Sequence, residues 1–257
     1  MKNLTAVAVV LILVCTQLAA QSGRQTLFDF RQATRNNNPP RTTAAMSRKV
    51  LSKVFPKYLN DEAQCKADVD TSGSENYLAA MRKAGQIVPS IFDMATGSFT
   101  ATGQDQVAYL ISVGECNASH ADNFGSKRLA VFAGNKLVLN LDVNFKSGIL
   151  KKTDLNLDGV DELLLLGGDM HQGILIETAA LYEVQGGKLV VLQDFEKVFE
   201  DSCASLVSGS GIEASVIFVG PARSGQMPTF EVENYGSRCG RTKRWRLISK
   251  GINRWDS

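Results

Sequence analysis

The chain has 257 residues, with 28 Lys and Arg against 26 Asp and Glu and a formal net charge of +2. A balance so close to neutral singles out no partner class by overall charge. With 44% apolar residues the chain can build one domain with a substantial core, or two small ones. Beyond the N-terminus no apolar stretch is long enough to cross a bilayer.

Residues 1–20 read as a cleaved secretory signal. Lys2 is the basic start, Ala6 to Val14 the apolar run, and Ala19-Ala20 the small residues before a cut ahead of Gln21. Leu13-Val14-Cys15 superficially matches a lipoprotein signal, but Val14 is larger than such signals accept; an uncleaved anchor is the other alternative. The expected location is therefore secreted or periplasmic. Cleavage removes Cys15 and leaves Cys65, Cys116, Cys203 and Cys239. An even number in an oxidising compartment points to two disulfides, with three connectivities open. Locality favours Cys65–Cys116 and Cys203–Cys239. No CxxC or CxxCH spacing supports a zinc ribbon or haem attachment.

Residues 21–41, with Asn36-Asn37-Asn38-Pro39-Pro40, read as a linker. Residues 42–92 read as a helical preface. Met46, Val50, Leu51, Val54 and Phe55 recur at helical spacing between Thr43 and Phe55, and Pro56 stops the helix. Glu75 to Ala84, capped by Ser74, gives a second short helix. Both are expected to cover an open sheet edge or face; docking of the basic helix on an anionic membrane is the alternative.

Residues 93–257 divide into three copies of one pattern, about 93–146, 147–198 and 199–257. Gly103, Gly159 and Gly211 align, each followed two residues later by an acid: Asp105, Asp161 and Glu213. A strand-like segment comes next, Val107–Val113, Leu163–Leu166 or Ser215–Val219. Downstream, Arg128–Phe132 matches Ala179–Glu183 and Thr229–Glu233, and Gly134–Leu139 matches Gly186–Val191 and Lys243–Ile248. Each copy reads as four short strands. The expected fold is mainly β: three four-stranded propeller-like blades, open or partial, after a short helical segment. A β-sandwich or barrel of similar strand count is the alternative.

The second copy carries the strongest motif, Asp154-Leu155-Asn156-Leu157-Asp158-Gly159-Val160-Asp161-Glu162. Oxygen-bearing side chains at alternate positions, with a glycine at the sixth, suit a calcium loop. Asp154, Asn156, Asp158, the Val160 carbonyl and Glu162 are the candidate ligands. A metal-free, Asx-rich hairpin turn is the alternative. The loop resembles the calcium loop of FG-GAP/VCBS repeats, the integrin-α-like propeller family, and Gly97-Ser98-Phe99-Thr100 resembles the blade opening of that repeat. The resemblance implies a bound calcium between the first two strands of a blade. It departs at Leu157, where the family has glycine, and at Glu162, where it has Asp. At positions 1, 3, 5 and 9 the first copy has Ser98, Thr100, Thr102 and Gln106, and the third has Leu206, Ser208, Ser210 and Ala214. Neither carries the negative charge a hard cation needs.

Two further features bear on chemistry. His120 and His171 fall in corresponding loops of adjacent copies, near Asp122 and Asp169, so the four are a candidate His/carboxylate cluster. A basic run with interleaved tryptophans, from Arg238 to Arg254, suits a guarded outer strand; an anionic partner is the alternative. No nucleophile elbow, Walker loop or dinucleotide fingerprint is present. The expected function is a secreted or periplasmic binding module with a calcium-stiffened blade, its partner an extracellular protein or glycan rather than nucleic acid. The alternatives are a small extracytoplasmic hydrolase using the histidine cluster, or an envelope structural protein that forms homo-oligomers through open blade edges.

Overall fold

Val107 to Ile111 and Leu129 to Phe132 are unbroken apolar runs. A strand keeps such a run only when both of its faces are covered. The computed structural model describes residues 24–32, 42–55, 89–112, 127–205 and 211–253. Their elements are β1 (Gln25–Asp29), α1 (Ala44–Val54), β2 (Ser90–Gly97), β3 (Gln106–Ser112), β4 (Lys127–Ala133), β5 (Lys136–Asp142), β6 (Lys146–Thr153), β7 (Glu162–His171), β8 (Ile174–Gln185), β9 (Lys188–Asp201), β10 (Gly211–Val219), β11 (Phe230–Arg238) and β12 (Arg246–Asn253). The protein is mainly β, with antiparallel sheets and, among the described residues, one helix.

Strands β2, β3, β4 and β5 form one four-stranded sheet in sequence order. Helix α1 covers one face. The Thr43 hydroxyl caps it by accepting from the Met46 N–H, and Val50, Leu51 and Val54 pack on Ile91, Tyr109, Ile111, Ala130 and Phe132. Lys49 and Lys53 reach Asn135 in the β4–β5 turn, which pins the helix across the sheet. The other face packs against the larger sheet: Phe99, Leu110, Leu129 and Val131 share a cluster with Leu163, Leu165, Ala180 and Tyr182. Both faces are buried, which accounts for the apolar runs.

The second sheet has eight strands, in the order β12-β11-β10-β9-β8-β7-β6, with β1 added beside β10. Strand β7 alternates its leucines between two cores. Leu163 and Leu165 face the smaller sheet, while Leu164 joins Leu181, Leu192, Phe195, Ile217 and Phe230. Residues of β7 and β8 thus share a core with residues of β10 and β11, so the sheet folds over on itself between β9 and β10. Asp93 on β2 accepts from the Ile149 N–H on β6 at 2.6 Å, stitching the two sheets together.

Strand β10 changes partner along its length. Ile212 to Ala214 pair with β9, and Val216 to Val219 pair with β1. Leu27 and Phe30 bury their side chains in the shared core. Part of the segment expected to be linker is therefore a sheet strand. The polar neighbours of Leu27 and Phe28 hide it in the sequence, because its partner lies far away in the chain. The expected helix at Glu75–Ala84 and the expected signal segment lie outside the described residues.

The third glycine does not match the other two. Gly103 and Gly159 sit in turns at φ of 69° and 85°. Gly211 instead opens β10 and pairs with Arg238. The physical reason is the pairing of β10: beside Val216 to Val219 lies β1, brought from the far end of the chain, where β3 and β7 have the strand that precedes them in sequence.

Candidate metal loop

Residues 154–161 join β6 to β7 as a tight turn whose acids point inward to backbone amides. The Asp154 carboxylate accepts from the Asp158 and Gly159 N–H groups at 3.1 and 3.0 Å. Asn156 accepts from the Asp158 N–H at 3.0 Å, and Asp158 accepts from the Val160 N–H at 2.7 Å. The Asn156 amide donates to the other Asp158 oxygen at 3.0 Å. This is an Asx-turn network, the means by which short acidic side chains hold a turn closed.

Glu162 is the exception. It opens β7, is fully buried, and accepts from the Leu155 N–H at 2.7 Å through Oε2. Its Oε1 is buried without a hydrogen-bond partner among the described residues. Burial pushes the Glu162 carboxyl up to about 7; the negative charges of Asp154 and Glu183 add to this, while the Leu155 N–H opposes it. Glu183, on β8, follows Tyr182, which pairs with Leu163, so it lies across the strands from Glu162. Its own carboxyl is raised, first by burial and then by Asp158. The sequence reading missed Glu183. The hairpin register set by Gly186-Gly187 was the signal for it.

The loop is braced by two neighbouring loops. The Thr102 hydroxyl donates to the Asp158 carbonyl at 3.1 Å, and the Gly225 N–H donates to the Asn156 carbonyl at 2.6 Å. Asp161 clamps the Gly97–Thr100 opening: its carboxylate accepts from the Ser98 N–H at 2.8 Å, and its own N–H donates to the Ser98 carbonyl at 2.7 Å. The acids expected to match Asp161 behave differently. Asp105 is exposed, and Glu213 lies within β10 paired to Lys197 at 2.9 Å.

The first unit has a neutral version of the same arrangement. Gln106 opens β3, is buried, and accepts from the Phe99 and Thr100 N–H groups at 2.7 and 2.9 Å while donating to the Thr100 hydroxyl at 2.5 Å. An amide satisfies that pocket. A carboxylate in the equivalent pocket leaves an oxygen unmatched. A hard cation or a proton would relieve it, so the residues fit calcium by their oxygen chemistry and by the orphaned Glu162 oxygen. In the present geometry, no group of three or more His, Cys, Asp and Glu among the described residues is gathered around one point. The side-chain oxygens hold amides instead, and binding would require them to turn.

The other candidates fall elsewhere. Asp169 and His171 are exposed at the far end of β7, seven and nine residues from Glu162, about 23 and 30 Å along an extended strand. Asp169 accepts from the adjacent Met170 N–H. His120, Asp122, Cys65 and Cys116 lie outside the described residues. Cys203 and Cys239 are joined in a disulfide that links the end of β9 to the β11–β12 connection. No helix among the described residues is long and apolar enough to cross a membrane. No family model, curated protein or solved structure matches the chain.

Proposed function

We propose that this protein is a secreted or periplasmic binding module built as a partial propeller of the FG-GAP/VCBS kind, with one calcium-stiffened blade. The blade reading is supported by the four-stranded sheet β2–β5 and by the eight-stranded sheet, which we divide into β6–β9 and β1 with β10–β12 where β10 passes from β9 to β1. The Cys203–Cys239 disulfide favours an oxidising compartment. The observation that carries the reading is the position of the acidic loop. Asp154 and Asp158 hold the loop's own backbone amides, neighbouring loops brace the turn, and Glu162 is buried beneath it, an arrangement that suits a cation that stiffens a scaffold more than one that performs chemistry. Asp154, Asn156, Asp158, the Val160 carbonyl and Glu162 would hold it. The partner is an extracellular protein or glycan met by the rigid face that such loops present.

Melting the full chain with calcium and with chelator tests the metal. Calcium at a hundredfold excess over its dissociation constant stabilises by about 2.7 kcal/mol. Asp158→Asn should remove that gain and Asp105→Ala should keep it. Crosslinking in the native compartment, followed by mass spectrometry, tests the module. Identical melts in calcium and chelator would overturn the metal, and recovery of a turned-over small molecule without a bound partner would overturn the module.

A further inference from the structure

Between Asn234 and Asn253 the chain has Arg238, Arg241, Lys243, Arg244, Arg246 and Lys250, and no carboxylate. Lys250 is neutralised by Glu233 at 2.6 Å. The other five are exposed and form no ion pair with the described residues. Guarding of a sheet edge does not account for them, because β12 begins only at Arg246 and four of the five precede it. Like charges this close repel one another, yet the connection that bears them is held firmly. The Cys203–Cys239 disulfide ties down its start, the Arg244 N–H donates to the Ser237 hydroxyl at 3.0 Å, and Trp245 packs on the core. A connection whose backbone is anchored binds a polyanion with less loss of freedom than a mobile one.

A shallow cleft adjoins this patch, lined by Lys197, Phe199, Glu213, Asn234, Ile248 and Ser249. Lys197 holds both Glu213 and Glu200, at 2.9 and 2.7 Å, so the acid groups of a ligand belong on the far side of the cleft, toward Lys243. Lys243 joins the cleft to the patch: its ammonium lies 5.8 Å from the Phe199 ring centre and 5.9 Å from that of Trp245. The Asn234 amide donates to the Ser249 hydroxyl at 3.0 Å, which leaves the hydroxyl proton and the second amide proton for a ligand; with the Phe199 ring beside a cationic rim they match a sugar ring that carries an acid group. An anionic lipid surface has no such ring to seat, and the disulfide sets the protein apart from the compartments of nucleic acid.

Resting on the binding-module reading, we infer that the 238–246 connection and its cleft bind an acidic polysaccharide. One sugar sits at Phe199, Asn234 and Ser249, and the acid groups of its neighbours lie along Arg241, Lys243, Arg244 and Arg246.

The test is calorimetric titration of the full chain with polygalacturonate and heparin, with neutral dextran as control and with duplex DNA and phosphatidylglycerol vesicles as competing polyanions. Binding to the acidic polysaccharides and not to dextran, weakening as salt rises, is expected. Arg241→Glu, Lys243→Glu and Arg244→Glu combined should weaken it at least tenfold. Ser249→Trp, which fills the cleft, should weaken the polysaccharides severalfold and leave any residual DNA binding unchanged; melting curves confirm that both variants fold. No polysaccharide binding, equal or tighter binding to DNA or vesicles, or an unaffected Ser249→Trp would overturn the inference. Capture of a protein partner by a chain that binds no polysaccharide would also overturn it, while leaving the module reading in place.

Discussion

Gln106 and Glu162 hold the same place in consecutive sheets: each opens the strand after its turn, and each turns a side-chain oxygen onto the backbone N–H seven residues upstream, Phe99 in one and Leu155 in the other. The amide is fully matched there, while the carboxylate keeps one buried oxygen without a partner. The exchange of one amide for one acid separates a self-sufficient turn from one that seeks a proton or a cation.

Glu162 therefore makes the metal-free protein sensitive to pH. Its carboxyl is raised from 4.5 to about 7 in the folded chain, so the unfolded chain gives up its proton first. Stability should fall as pH rises from 4.5 through about 7, with a total loss on the order of 3 kcal/mol by the linkage relation. Glu162→Gln should flatten that dependence and raise the melting temperature in chelator at pH 8. Calcium should do the same for the unaltered chain. Thermal melts between pH 5 and 8.5 check both, and a flat profile for the unaltered chain would contradict the assignment.

Gly103 and Gly159 both need a left-handed backbone, but only one is crowded. A Cβ on Gly159 would lie 2.5 Å from Thr102 Cγ2, whereas one on Gly103 would meet open space. Gly103→Ala should cost about 1 kcal/mol, the backbone penalty alone. Gly159→Ala should cost more, roughly 2–3 kcal/mol, and adding Thr102→Ser should recover part of the difference. Urea unfolding of the four chains measures it.

Leu157 adopts φ of 57° with half of its surface exposed, at the loop position where the resembled family has glycine. A branched side chain is strained in that region and gains little from packing here. Leu157→Gly should stabilise the chain by up to about 1 kcal/mol, read as a higher urea midpoint with unchanged slope.

Glu233 works in the opposite direction from Glu162. Hydrogen bonds from Lys250, then Tyr235 and Arg24, hold its carboxyl down at about 2 against the opposing effect of burial. A depressed carboxyl contributes stability that is complete above 4.5 and lost as pH falls through about 2. Glu233→Gln should cost about 1–3 kcal/mol at pH 7 and much less at pH 2, as measured by denaturant unfolding at both.

Local patterns were readable and distant pairings were not. The helix over Ala44–Val54 follows from its apolar spacing and Thr43, and the β4–β5 and β8–β9 hairpins follow from Gly134-Asn135 and Gly186-Gly187. The match of Gln106 to Glu162 was visible as position 9 of two aligned turns. Strand β1 carried no such sign: one adjacent apolar pair, Leu27-Phe28, between polar residues does not announce a strand, and its partner lies at Val216–Val219. The same blind spot misplaced Gly211, because an aligned glycine looks alike whether it turns the chain or begins a strand. Glu183 escaped because it faces the loop only through pairing across the sheet.

The union of β1 with β10 also governs the order in which the molecule can mature. Thr26 must wait for Phe218, so nearly the whole chain has to be made before that seam closes. Contacts this distant in sequence slow folding and leave strand edges unpaired in the meantime. Until then Gln25 to Asp29 lack their partner, an interval in which a holding chaperone, or β10 of a neighbouring nascent copy, can take the place reserved for Val216 to Val219.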